Sequence, residues 1–170
     1  MASLLAAIND LDVDDVVAAE LDVFKLANPA AGAGFTFTPT QAQAFRPLLV
    51  TFLLTASAAV ANRVVTLRYQ DADGTILGAF AIQTAITANQ AARCTFAVDL
   101  GTVETASINA FATPIPDLIM PVGWGLAVVV FAEDAADQIS ATVVTGESYW
   151  TGKPGEPGTV PIATATPVGT

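Results

Sequence analysis

Val65-Thr66-Leu67-Arg68-Tyr69-Gln70 alternates apolar and polar side chains, and Asp71-Ala72-Asp73-Gly74 follows at once. Alternation with period two puts Val65, Leu67 and Tyr69 on one side of a pleated strand. Short carboxylates bond to nearby backbone N–H groups, and glycine tolerates the positive φ of a tight turn. The run after the turn is again strand-like. Segments 62–71 and 75–83 therefore read as a β-hairpin.

The same pattern extends in both directions. Runs rich in Val, Ile, Thr and Phe, separated by turn residues, predict further strands at 35–38, 44–56, 92–99, 116–120, 124–132 and 138–150. Leu126-Ala127-Val128-Val129-Val130-Phe131 is apolar on both faces, which predicts a central strand covered on both sides. The linkers are too short to hold a helix between successive strands, so a parallel α/β fold is excluded. Only 100–112, with Glu104 and Ser107, has room for a helix or an irregular crossover. The expected fold is mostly β: a single β-sandwich or jelly-roll-like domain over 35–150.

Two different segments flank that domain. Residues 1–34 predict an N-terminal amphipathic helical arm, because Val13, Val16, Val17, Leu21 and Phe24 recur at helical spacing. Asp10 and Asp12 can cap it, Asp14 and Asp15 suit the positive end of the helix dipole, and Asn28-Pro29 stops it. The arm can fold back over the sheet or dock on a neighbouring subunit, and periodicity does not separate the two. Residues 151–170 predict an extended C-terminal tail rich in Pro and Gly, with Pro154, Pro157, Pro161 and Pro167. Val160, Ile162 and Val168 give that tail apolar contacts.

Composition narrows the function classes. The chain is 53% hydrophobic and 13% charged, so apolar side chains exceed what one core needs. Net charge is −10, with six basic residues against 16 acidic ones. Phosphate backbones and anionic lipid surfaces both require clustered Lys and Arg, so neither nucleic acid nor membrane is an expected partner. The uncharged run from Leu48 to Ala61 is too short to span a bilayer. Met1-Ala2-Ser3 carries no basic side chain, and Asp10 follows the short apolar stretch, unlike a secretory signal. A soluble protein made in a cytoplasm is expected.

Catalytic equipment is sparse. There is no histidine, which removes Ser–His and Cys–His pairs and the usual zinc sites. Cys94 lies in a strand-like run and reads as a small buried hydrophobe. Asp71 and Asp73 could pair as glycosidase carboxylates or open a calcium loop, but a strand follows where further ligands would have to stand. Glu133-Asp134-Ala135-Ala136-Asp137 reads as a solvated loop. Trp124, Trp150, Tyr69 and Tyr149 could stack on sugars, although core or interface packing explains them more simply. No enzyme activity, cofactor or metal is expected.

Three stretches together resemble small β-sandwich virion proteins of tailed bacteriophages. They are Ala61-Asn62-Arg63 entering a strand that leads to the Asp71–Gly74 hairpin, Pro116-Asp117-Leu118-Ile119-Met120-Pro121-Val122-Gly123-Trp124 before an apolar strand, and Ala136-Asp137-Gln138 before the last strand. The likeness covers roughly 61–150 and carries no catalytic residues. It implies a virion component, foremost a capsid decoration (cement) protein that binds the major capsid protein or other virion proteins. It further implies a homo-oligomer, a trimer by expectation, whose arms grip the capsid. Val13, Val17, Leu21 and Phe24 in the arm, and Val160 and Ile162 in the tail, are the expected interface residues. Two alternatives remain: a tail, collar or fibre-associated protein, and a jelly-roll carbohydrate-binding module.

Overall fold

The structure is a computed structural model that describes residues 16–39, 43–100, 103–105 and 109–151. Among these residues there are strands and no helix. The strands are β1 (Val16–Lys25), β2 (Phe35–Phe37), β3 (Gln43–Thr55), β4 (Val64–Gln70), β5 (Ile76–Ala81), β6 (Ala91–Ala97), β7 (Val103–Thr105), β8 (Ala110–Pro114), β9 (Gly125–Phe131) and β10 (Gln138–Thr151). They form a six-stranded sheet, β1-β10-β3-β6-β8-β7, and a four-stranded sheet, β2-β9-β4-β5.

Alternation decides which side chains meet between the sheets. Val50, Phe52 and Leu54 of β3 are fully buried, and so are Cys94 and Phe96 of β6. From the other sheet come Val65 and Leu67 of β4 with Leu126, Val128 and Val130 of β9. Aromatic pairs cross the interface edge to face: Phe35 with Phe52 at 5.5 Å and Phe37 with Phe45 at 5.4 Å between ring centroids. One core therefore serves both sheets. The β4–β5 hairpin closes as its turn chemistry requires. The Asp71 carboxylate accepts from the N–H of Asp73 at 3.0 Å and of Thr75 at 2.8 Å, and Gly74 has φ 81°.

Seven of the eight expected strands are present. The exception is 116–120, where prolines at 116 and 121 remove ladder donors. There only Met120 pairs, exchanging two backbone hydrogen bonds with Phe45. The expected crossover at 100–112 contains β7 and the start of β8, and β8 lies parallel to β6. β9 is central in its sheet, but its second face is covered only in part. Ala127 is buried on that face, whereas Phe131 is 50% exposed.

The helical arm needs correction over Val16–Lys25. This segment is an edge strand, paired antiparallel to β10 from Ala19↔Tyr149 to Lys25↔Val143. Leu21 and Phe24, expected on one helical face, fall on opposite faces of the strand. Leu21 is 64% exposed, while Phe24 packs inward on Phe37 and Phe45. A long neighbouring strand with an unpaired edge outweighs modest helix propensity. The boundary expected at residue 34 accordingly falls between two strands, and the segment before it joins the six-stranded sheet. The rest of the arm, 1–15, and the tail from 152 lie outside the described residues.

Register fixes two ends of the molecule. Val16 lies opposite Thr151, Trp150 opposite Gln43, and Gln70 opposite Gly125. Both chain ends thus leave from adjacent strands at one end, beside the turn at 71–75 and the connection at 115–124. At the other end stand the connections 26–34, 56–63, 82–90 and 132–137.

Candidate functional site

Arg63 organises the end away from the chain termini. It is fully buried as β4 begins. Its Nε and Nη2 fork the Asp137 carboxylate at 2.8 and 3.0 Å. Nη1 donates to the carbonyls of Ala59 at 2.9 Å and Ala61 at 3.1 Å, and Nη2 also donates to Ser57 Oγ at 3.0 Å. All five guanidinium N–H donors are used. Asp137 in turn accepts from the N–H of Ser57 at 2.8 Å and of Asp134 at 2.9 Å. Its backbone carbonyl accepts from Gly32, and the backbone of Arg63 pairs both ways with Ile86. The ion pair and the backbone of its two residues together tie four connections.

The electrostatics follow from that geometry. Burial alone would push the Asp137 carboxyl up. The Arg63 guanidinium and two backbone N–H groups outweigh it and hold the carboxyl down at about 2. The Asp137 carboxylate likewise raises Arg63. Nearby, burial and the Asp137 charge raise Glu133, whose Oε1 is buried without a partner among the described residues. Arg63 has no donor left to offer a substrate, so the cluster is a clasp between loops.

A second arginine stands at the end where the chain termini leave. Arg46 projects from β3 on the outer face of the six-stranded sheet. Its Nε and Nη2 fork Asp117, and its Nη1 donates to Glu147 Oε2 at 2.9 Å. The Tyr149 hydroxyl donates to the same Glu147 oxygen. Arg46 holds Asp117 below its usual range, and Tyr149 with Arg46 does the same for Glu147. Exposed apolar side chains share this end: Ile76 and Leu77 where β5 begins, and Ile119 and Val122 in the connection before β9.

The expected interface residues separate. Val13, Val160 and Ile162 lie outside the described residues. Val17 belongs to β1. Leu21 projects outward and is free to make a contact, and Val23 beside it is 59% exposed. Phe24 needs correction: its ring packs against the core and cannot anchor an arm on a neighbour. Sequence reasoning missed both arginine clusters. The signal was present in Ala61-Asn62-Arg63 and Ala136-Asp137-Gln138, taken as two separate turn signatures, although their charged members bind each other.

The remaining candidates are engaged in packing or hydrogen bonding, except Trp150, whose side chain lies outside the described residues. Cys94 is fully buried, and burial pushes its thiol up to about 12. Asp71 holds the hairpin turn. Tyr69 is in the core, Trp124 packs against it, and Tyr149 is engaged by Glu147. The half-exposed Phe131 ring has the Arg68 guanidinium over it at 5.3 Å. Among the described residues no three Cys, Asp or Glu side chains are grouped to hold a metal ion, and no helix is long and apolar enough to cross a membrane. No protein-family model matches the chain, and no curated protein matches it.

Proposed function

We propose that this chain is a non-enzymatic structural protein of a tailed-bacteriophage virion, a jelly-roll β-sandwich that decorates and stabilises the capsid. With β7 and β8 set aside, the sheets read β1-β10-β3-β6 and β2-β9-β4-β5. That interleaving of early and late strands is the pattern of a double Greek key. The observation that carries the role is the exit of both chain ends from adjacent strands at one end. Segments 1–15 and 152–170 therefore start side by side, at the end that also carries exposed Ile119 and Val122. An acidic arm carrying Val13 and a proline-rich tail carrying Val160 and Ile162, starting from one platform, can bind repeated capsid sites together, and linkage raises avidity without any new contact. The partner is the major capsid protein or another virion protein, and the chain acts as a homo-oligomer. It is made in the bacterial cytoplasm and carried in the particle.

The test is the copy number of this chain relative to the major capsid protein, measured by quantitative mass spectrometry of purified particles. Hundreds of copies per particle are expected. A dozen or fewer would move the chain to the tail, collar or fibre. No copies would overturn the virion role and return attention to glycan binding.

A further inference from the structure

The outer face of the six-stranded sheet differs from an ordinary solvated sheet face. Antiparallel sheets with one face in water alternate apolar inward with polar outward. Here register places Val23, Thr145, Leu49 and Ala97 side by side across four strands, all on the outer face. In the next row Thr51 and Thr95 face each other. Their hydroxyls lie 3.2 Å apart, and that of Thr51 also reaches the Cys94 carbonyl at 3.2 Å. Hydroxyls satisfied within the sheet leave methyl groups outermost. Leu21 and Val23 extend the same face at its edge, 64% and 59% exposed.

The described charges on this face are Glu147 and Arg46 in the row of Leu21, Lys25 at the edge of the Thr51 row, and Arg93 one row further. Arg46 and Glu147 stand toward the chain-terminal end, and Lys25 and Arg93 toward the other. The opposite sheet is different, since Arg68 lies across Phe131 on its outer side. The whole chain carries −10. Two copies repel over most approaches, and that repulsion is least on a face whose outward strand positions carry one described acid, Glu147, held by Arg46. Five strands at ~4.8 Å and six residues at ~3.4 Å give about 500 Å² per copy, so about 1,000 Å² for a pair, which reaches the lower bound for a specific interface.

We propose that this face binds a second copy of the chain, same face to same face, about a two-fold axis. The contact deepens the homo-oligomer part of the function proposed above and does not require a virion. The test is sedimentation of the purified full-length chain across the micromolar range. Wild type should sediment as an even multiple of 17.4 kDa. Thr145→Lys, at the centre, and Val23→Lys, at the exposed edge, should each weaken association at least about tenfold while far-UV circular dichroism stays unchanged. Val60→Lys, at a position 99% exposed in the 56–63 connection, should leave association as it was.

Four results would overturn the proposal. They are a wild-type monomer at every concentration, a strict trimer, unaltered assembly of both face variants, and destabilisation by Thr145→Lys without a change in mass. The last would mean that the chain covers its own face. Because no particles enter the measurement, a monomer leaves the virion role standing, and absence from particles leaves this contact standing.

Discussion

The two ends of the molecule are each built on an arginine that forks an aspartate, and they differ in how much water reaches the pair. Arg63 and Asp137 are both 0% exposed in their side chains, whereas Arg46 is 29% and Asp117 47% exposed. Arg63 and Asp137 between them join four connections, and Arg46 joins one connection to two neighbouring strands. The same chemistry therefore does different work. A buried pair, once formed, is costly to break, because the survivor keeps an unpaired charge away from water. A pair at the surface can exchange its partner for solvent. One end is fixed by its arginine, while the other is only trimmed by it and remains the end from which the chain termini depart.

Asp137→Ala should give the largest effect. It leaves the Arg63 guanidinium buried and frees the N–H groups of Ser57 and Asp134. A loss of about 3–5 kcal/mol is expected in urea unfolding monitored by circular dichroism. Against a total of roughly 5–15 kcal/mol for a typical domain, that is a large share. A loss below about 1 kcal/mol would place Arg63 in the surface class and erase the contrast between the ends.

Acid should reach the same pair with a smaller effect. The Asp137 carboxyl sits at about 2 in the folded chain against 3.8 ordinarily. A carboxyl depressed by folding contributes stability that is fully present above its unfolded value. That contribution fades as pH falls from about 4 toward 2, and it amounts to ~2 kcal/mol. In an acid series of urea midpoints, Asp137→Asn should flatten this part of the curve. An unchanged slope between pH 4 and pH 2 would show that Asp137 is not the group being protonated.

How much of this was visible in the sequence depends on how local the cause is. The β4–β5 hairpin was legible because Asp71 and Gly74 make their turn within a few residues. The edge strand β1 was not. Its Val, Leu and Phe spacing satisfies a helical face and a strand alternation alike, and the deciding partner is β10, where Lys25 meets Val143. β8 was hidden for a similar reason, since Ala110 to Pro114 has little apolar pattern and owes its place to parallel pairing with β6. Arg63 and Asp137 are 74 positions apart. Each sits in a motif that looks like turn chemistry, and nothing local shows that the two turns are one clasp.

Arg46→Ala should have the smallest effect, and its salt dependence sharpens the comparison further. Removing Arg46 leaves Asp117 and Glu147 close to solvent, and Tyr149 still donates to Glu147. The destabilisation should be several-fold smaller than for Asp137→Ala. It should also shrink as salt is raised, because added ions screen exposed charges within about 10 Å at 0.1 M. The Asp137→Ala loss should hardly respond to salt, since ions do not enter the buried cluster. Parallel thermal melts of both variants at low and high salt give the comparison directly. If the two losses respond alike, burial does not separate the arginines, and the clasped end is open to solvent like the other. If only the Arg46→Ala loss is screened, the chain-terminal end is the one that can exchange its ionic contacts for those of a partner without unfolding the sheets behind it.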